Sequence, residues 1–295
     1  MYEAFYGFAR KPFSIVPEPE FLYPSRHHRI ALDLMRHGLS HHAMFSAITG
    51  GIGTGKTMLV RYLLREIRAD RRVGILVDIQ PGSSDLLPWV LAAYQLDISG
   101  RTRIEQLRLF GAFLGREGQA GRRVVLIIDE AQNLSPSALE ELRLLSNANV
   151  DGRELLQIVL LGQAGLRDAL RSPGLRQLAQ RIVVDYDLKP LARPETAEYI
   201  GHRVRRAGRL NGEIFDAGAC RLVHEASDGV PRVINLVCDM ALVYGYADQR
   251  PTIDAGTVQA LLTDKEAAGG WLFAESAGSS PEPESSRIHA VPAPR

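Results

Sequence analysis

Five short apolar runs divide the first two thirds of the chain, and each is seven residues long. They cover residues 43–49, 73–79, 124–130, 155–161 and 182–188. Runs this short and this apolar are typical of strands that are buried on both faces of a parallel sheet. Between the runs, apolar residues recur every three or four positions, as they do in amphipathic helices. The pattern therefore predicts an α/β fold in which a five-stranded parallel sheet lies between layers of helices.

The pattern changes at Lys189-Pro190-Leu191, and beyond this point it indicates helices and no further strands. The four predicted helix starts are Pro194, Asp216, Pro231 and Asp254. Each of them places a capping residue or a first-turn proline at the start of an apolar periodic stretch. We expect residues 191–266 to form a small four-helix lid beside an α/β domain of residues 25–190.

The two ends of the chain lack these periodic patterns. Residues 1–24 are rich in aromatic residues and proline at irregular spacing, which predicts an extended segment lying against the folded domains. Residues 267–295 are dominated by Gly, Ser, Pro and Glu, which predicts a disordered tail. Trp271-Leu272-Phe273 is the apolar stretch of that tail, and we expect it to pack back on the domain or to contact a partner.

A glycine-rich segment joins the first apolar run to the first amphipathic helix. It fits the pattern G-x-x-x-x-G-K-[ST], in which backbone N–H groups wrap the phosphates of a nucleotide at a helix N-terminus. The predicted nucleotide-binding residues here are Gly50, Gly51, Ile52, Gly53, Thr54, Gly55, Lys56, Thr57 and Met58. We expect Lys56 to reach the β- and γ-phosphates of ATP, and the Thr57 hydroxyl to bind Mg²⁺. The N-terminal segment is expected to pack near this nucleotide.

The third apolar run ends in two acids, Asp129 and Glu130. A buried strand of a parallel sheet carries such residues to its carboxyl edge, where these sheets bind ligands. We expect Asp129 to hold Mg²⁺ through its water shell, and Glu130 to act as the general base that polarises the attacking water. The alternative is a core strand with surface acids at its end, and the phosphate-binding loop upstream makes that interpretation the weaker one.

Composition and charge limit the partners of the chain. The net charge is +1, so any binding to nucleic acid or anionic lipid has to come from a local basic patch. No apolar run approaches the roughly 18 residues that span a membrane, and no signal peptide is seen, which predicts a cytoplasmic protein. Cys220 and Cys238 lack metal-ligand spacing and are expected to be reduced thiols of the core.

A helix over residues 26–39 is predicted, with Ser25 as its cap, and several histidines lie on and after it. They are His27, His28, His37, His41 and His42. No acidic or cysteine ligand lies among them at a spacing that would hold a metal, so we expect all five on the surface.

A phosphate-binding sheet followed by a four-helix lid resembles the AAA+ ATPases. More narrowly, the chain is similar to the general secretion pathway protein A (ExeA) family over about residues 1–265. The segments that carry the similarity are Phe5-Tyr6-Gly7, Pro12-Phe13, Pro17-Glu18-Pro19, Phe21-Leu22-Tyr23, residues 53–57, residues 129–132 and Leu161-Gly162-Gln163. The resemblance implies a Mg²⁺-dependent ATPase that forms a ring or filament and energises or regulates assembly of a secretion or exopolysaccharide machine of the envelope. It also implies a cytoplasmic location, peripheral to the inner membrane through a protein partner.

Three further site residues follow from their positions in the AAA+ pattern. Gln163, after the fourth strand, resembles the sensor 1 residue that places the attacking water. Arg181, just before the fifth strand, resembles the arginine finger lent to the nucleotide of a neighbouring subunit, and Arg176 on the same stretch is the competing candidate. Arg232, in the segment 229–235, resembles the sensor 2 arginine of the lid and is expected to bind the γ-phosphate.

Two other functions stay open at this point. Shorter members of the family resemble regulator ATPases of DNA transposition, which implies a protein that binds duplex DNA with ATP and recruits a transposase. Its support in the sequence is two arginine-rich groups, at residues 61–72 and 202–209, although such groups on helices are more often a solvated face. The remaining possibility is a switch that binds ATP without turnover, and Glu130 together with the sensor-like residues argues against it.

Overall fold

Five parallel strands form the central sheet of the computed structural model, which describes residues 1–67, 70–77, 79, 85–147, 149–150, 153–209 and 213–270. The strands are β1 (Phe45–Gly50), β2 (Arg71–Leu76), β3 (Arg123–Ile128), β4 (Leu156–Gly162) and β5 (Ile182–Leu188). They lie side by side in the order β2-β3-β4-β1-β5, and every neighbouring pair is parallel. The predicted five-stranded parallel sheet is confirmed.

The central strands β1, β3 and β4 are buried almost throughout, which explains their continuous apolar sequences. Edge strand β2 is different, because it begins two residues before the predicted run and alternates partly exposed with buried positions. Asp78 of the predicted run lies outside the described residues, as do residues 80–84 that follow the run. Two short antiparallel strands, Asn149–Val150 and Arg153–Glu154, precede β4.

Helices cover both faces of the sheet, as the periodicity predicts. Those before the lid are α1 (Tyr2–Tyr6), α2 (Arg26–Ser40), α3 (Lys56–Glu66), α4 (Leu87–Ala93), α5 (Arg103–Gln119), α6 (Pro136–Leu145), α7 (Ala164–Arg171) and α8 (Arg176–Ala179). Helices α2 and α3 pack on the face that carries Ile48, Val125 and Val159. Helices α4 to α8 pack on the opposite face. Because alternate residues of one strand point to opposite faces, each central strand contributes to both cores.

Among the described residues after β5, the lid has four helices, as predicted. They are α9 (Arg193–Arg206), α10 (Ala217–Ser227), α11 (Pro231–Ala247) and α12 (Ala255–Ala267). Asp216 and Asp254 accept backbone hydrogen bonds as the N-caps of α10 and α12. Both lid cysteines are free, and Cys238 is buried. Across the residues that the structure describes, no helix combines the length and the apolar character that a membrane crossing needs.

Residues 1–24, which we call the strap, are less extended than the sequence indicates. Helix α1 ends at Gly7, whose φ of 72° gives it a left-handed cap, and a 3₁₀ turn covers Pro19–Phe21. A helix of this length is not stable by itself, and it forms here because Tyr2 and Tyr6 are buried in the core of the lid. The prediction of an extended segment is therefore wrong for these two stretches. Residues 271–295, most of the predicted tail, lie outside the described residues.

Candidate nucleotide-binding site

The glycine-rich segment, residues 50–57, forms a loop between β1 and α3. Gly53 and Gly55 have φ angles of 77° and 104°, in the left-handed region that favours glycine. Gly55 is the N-cap of α3, so the N–H groups of the first helical turn have no partner within the helix. This end of the helix therefore offers the hydrogen-bond donors and the positive dipole that bind phosphate.

Three polar side chains of this loop and its surroundings lie close together. The Lys56 ammonium donates to the carbonyl oxygens of Gly50 and Gly51, each at 2.9 Å. Burial lowers the pKa of Lys56. The Thr57 hydroxyl donates to Asp129 Oδ2 at 2.7 Å, so the two predicted metal ligands are neighbours.

The oxygen donors Thr57 and Asp129 fit Mg²⁺, which prefers hydroxyl, carboxylate, phosphate and water ligands. In the described part of the chain, no group of three or more His, Cys, Asp or Glu side chains could hold a metal ion. A site with two protein ligands is consistent with Mg²⁺, because this ion usually keeps several waters and binds substrate phosphates.

Glu130 lies at the start of a 3₁₀ turn, with φ of 51° and ψ of 40°. Its Oε2 accepts a hydrogen bond from Gln163 Nε2 at 3.0 Å and another from the side-chain amide of Gln132. Gln132 Oε1 in turn accepts the backbone N–H of Gln163 at 3.0 Å. The expected base and the sensor-like residue thus share one hydrogen-bonded ring, and Gln132 closes it. Gln132 is not among the site residues predicted from the sequence, because residue spacing does not show where an amide in a 3₁₀ turn points.

A cavity of about 350 Å³ lies between the loop, the strap and the lid. On the core side it is lined by Lys56, Thr57, Met58 and Glu130, together with Ile52, Gly53 and Gly55. Of the other predicted nucleotide-binding residues, Gly50, Gly51, Thr54 and Asp129 do not line it and support the residues that do.

Arg232 lines the same cavity from the lid. Its backbone N–H donates to the carbonyl oxygen of Gly53 at 3.2 Å. The approach is so close that a Cβ atom on Gly53 would lie 2.7 Å from Arg232 Cβ, so only glycine fits here. The lid therefore contacts the phosphate-binding loop directly, at the position where the sequence analysis expects a sensor 2 arginine.

His28 contacts the loop and lines the cavity, and the expectation that it lies on the surface is wrong. The residue is only 4% exposed. Its Nε2 lies 3.1 Å from the carbonyl oxygen of Thr54, and its Nδ1 lies 2.7 Å from Ser25 Oγ. Burial lowers the pKa of His28 to about 4, so the ring is neutral near pH 7 and Nε2–H can donate to the loop. The buried face of α2 includes position 28, which the count of histidines alone does not show.

The two finger candidates lie apart from the cavity and differ in their contacts. Arg181 is half-buried, and its guanidinium donates to Asn147 Oδ1 at 2.6 Å and to Ser146 Oγ at 3.0 Å. Arg176 is exposed, and within the described residues its side chain forms no hydrogen bond or ion pair. Neither arginine lines the cavity of its own chain.

Comparisons with known proteins agree with this geometry. The profile of a family described as "AAA domain" matches residues 38–170. General secretion pathway protein A of Aeromonas hydrophila is 40% identical to the chain over 248 residues. The chain is an AAA+ protein that resembles general secretion pathway protein A. The match covers 84% of this AAA+ protein and 45% of the relative, so the chain spans less than half the length of that relative.

Solved structures show the same fold. The ORC2 protein of Aeropyrum pernix, solved as ADPNP–ADP complexes, has a TM-score of 0.65 and 17% identity, and the match covers 92% of this chain and 76% of ORC2. Cdc6p from Pyrobaculum aerophilum has a TM-score of 0.62 and 18% identity, and the match covers 82% of this chain and 67% of Cdc6p. At these identities the likeness concerns the fold alone, and it confirms the expected AAA+ architecture.

Proposed function

We propose that this AAA+ protein hydrolyses ATP with Mg²⁺. The observation that carries the proposal is the hydrogen-bonded ring of Glu130, Gln132 and Gln163, which holds a carboxylate at the cavity wall beside Lys56 and Thr57. A general base next to a phosphate-binding loop is the arrangement that water attack on a γ-phosphate requires.

The residues divide the work as follows. The loop N–H groups and Lys56 bind the phosphates and offset their charge, while Arg232 approaches from the lid. Thr57 and Asp129 would hold Mg²⁺, which supplies further neutralisation of phosphate charge when bound. Both amide donors bind Glu130 Oε2, and no group of the described residues donates to Oε1. Oε1 is therefore the oxygen that accepts the proton of the attacking water.

The substitution Glu130→Gln tests this proposal. It removes the base and keeps the size of the side chain, so phosphate release should fall by about 10² to 10⁴ while ATP still binds. Glu225→Gln, at an exposed position of the lid, is the matched control and should turn over normally. Normal turnover in Glu130→Gln would show that Glu130 is not the base. Lys56→Ala should lose both binding and turnover.

We further propose that the protein works as a homo-oligomer and serves a machine of secretion or of the envelope. The support is the 40% identity to a protein named for the general secretion pathway. Light scattering of Glu130→Gln with ATP and Mg²⁺ tests assembly, because this variant should retain its nucleotide. A particle that stays monomeric at all protein concentrations would contradict the proposal.

The arginines considered above as a DNA track are largely engaged within the protein. Arg61 donates to the Pro17 carbonyl at 2.9 Å, and Arg65 pairs with Glu20 at 2.7 Å. Arg209 donates to the Tyr6 carbonyl at 2.8 Å, and Arg203 is buried. These contacts favour a role in holding the strap over a role in binding phosphate backbone. A gel-shift titration at two salt concentrations with an ATP analogue tests this: a salt-sensitive retarded species would restore the DNA function.

A further inference from the structure

Arg203 is buried in the middle of α9, with 2% of its surface exposed. Its Nε donates to the Pro12 carbonyl at 2.6 Å, and its Nη2 donates to the Ser14 carbonyl at 3.0 Å. The guanidinium carbon lies 4.8 Å from the centre of the Phe21 ring. Within the described residues no carboxylate pairs with this charge. The guanidinium is thus committed to the strap, through two carbonyls and one aromatic face.

The same guanidinium is linked to the lid helix that carries Arg232. Arg203 Nη1 donates to the Tyr199 hydroxyl at 3.1 Å, and that hydroxyl donates to Asn235 Oδ1 at 2.8 Å. Asn235 lies three residues after Arg232 on α11, and Arg232 bonds the loop at Gly53. Hydrogen bonds therefore join the strap to α9 and α9 to α11, and the backbone of α11 joins Asn235 to Arg232 at the phosphate-binding loop.

The strap and this network line the same cavity as the phosphate-binding loop. Ser14, Ile15, Val16, Tyr199, Arg203 and Asn235 all line it. Since the loop takes the phosphates, the nucleoside end of a bound nucleotide has to lie against these residues.

The strap is fixed on both sides of this wall. Arg203 of the lid contacts the strap at Pro12 and Ser14, and Arg61 on α3 of the core contacts it at Pro17. Ile15 and Val16 lie between the two anchors and are 55% and 60% exposed, which leaves apolar surface free to contact a ligand.

We propose that Arg203 is a positioning residue. It fixes the strap to the lid, so that Ile15 and Val16 of the strap form the wall against which the nucleoside lies. The inference rests on the proposed nucleotide binding. Removing the guanidinium leaves the carbonyls of Pro12 and Ser14 without their donor, so this part of the strap loses its contact with the lid, while the buried tyrosines of α1 and the contact with Arg61 remain. The wall at Ile15 and Val16 then loses its fixed place, and the phosphate-binding loop keeps its own structure.

Two measurements on Arg203→Ala test the proposal, with Arg206→Ala as the matched control. Arg206 is exposed on the same helix, and its side chain forms no hydrogen bond or ion pair within the described residues. Hydrogen exchange of residues 8–17, measured without nucleotide, should become faster in Arg203→Ala only. Competition against a fluorescent ATP analogue should show that ATP binds at least about tenfold more weakly, whereas inorganic tripolyphosphate binds as it does to the wild type.

Tyr199→Phe keeps the test open if Arg203→Ala does not fold. It removes only the hydroxyl between Arg203 and Asn235, and it should shift ATP affinity in the same direction by a smaller factor. Unchanged strap exchange together with unchanged ATP affinity would overturn the proposal. An equal loss for ATP and tripolyphosphate would also overturn it, because the effect would then pass through the loop. If the wild type binds neither compound, the proposed function fails, and the exchange measurement still decides whether Arg203 holds the strap.

Discussion

The two walls of the nucleotide cavity are built in different ways. The core wall comes from one local segment, residues 52–53 and 55–58, and from Glu130 after β3, whose carboxylate Gln163 after β4 holds. The lid wall comes from the strap, α9 and α11, whose contacts join residues about 190 positions apart in the chain. The core wall presents Glu130, the proposed general base, and the loop lysine, whereas the lid wall presents arginines and apolar surface. The proposed chemistry thus lies on the side that the sheet holds, and the enclosure lies on the side that contacts between distant segments hold.

The largest effect is expected if a neighbouring subunit supplies a third wall. Arg181→Ala and Lys56→Ala should each be inactive alone, and their mixture should regain part of the phosphate release. The reason is that an intact Arg181 on one subunit can act on an intact loop of the next, and such a finger is worth about 10³ or more in rate. Arg176→Ala mixed with Lys56→Ala is the control. Recovery of phosphate release in that mixture alone would assign the finger to Arg176. Recovery in neither mixture would mean that neither arginine acts on the nucleotide of a neighbouring subunit.

Within the core wall, Gln132→Ala should lower kcat by about ten- to a hundredfold and leave KM nearly unchanged. The change opens the ring around Glu130, so the base is present but poorly oriented. Steady-state phosphate release measures both constants. Gln132→Glu should be at least as slow, since a second carboxylate would repel Glu130. A KM effect without a kcat effect would mean that Gln132 serves binding instead.

The free energy of unfolding should depend on pH through His28, which contacts the loop of the core wall. The folded protein keeps this ring neutral down to about pH 4, whereas an unfolded chain takes up the proton below about pH 6.5. The unfolded state therefore binds more protons, and stability falls as the pH is lowered. Between pH 7 and pH 5 the wild type should lose about 2 kcal/mol of unfolding free energy that His28→Gln does not lose. Urea titrations at both pH values measure this difference, and parallel losses would exclude His28 as the cause.

The smallest effect is expected for Lys11→Ala on the surface of the lid wall. Lys11 pairs with Asp239 at 3.3 Å, and its side chain is half-exposed. Exposed pairs of this kind contribute about 0 to 1 kcal/mol, so thermal unfolding should shift only slightly. If the unfolding temperature of Lys11→Ala fell as far as that of Arg203→Ala, surface contacts would hold the strap as firmly as the buried guanidinium does.

The difference between the walls also explains what the sequence could show. Each central strand of the sheet is a local apolar run, and the loop is a local pattern, so both could be predicted residue by residue. Edge strand β2 was less well placed because one-sided burial weakens its pattern. The contacts that anchor the strap could not be predicted from the sequence, since the partner of Pro12 and Ser14 lies on α9 and no local spacing encodes this pairing. His28 and Gln132 could not be predicted for a similar reason, because their contacts depend on where the side chain points and not on residue type.

The backbone of Glu130 has a consequence for how this protein can change. A non-glycine residue with φ of 51° carries strain on the order of 1 kcal/mol. The strain is retained at the position where the proposed chemistry takes place, so activity and thermal stability oppose each other there. Replacing Glu130 by glycine would remove the strain together with the base and its two hydrogen bonds, so it should give an inert protein whose gain in heat resistance is smaller than the strain alone would give. A population selected for heat resistance alone would therefore tend to lose this glutamate.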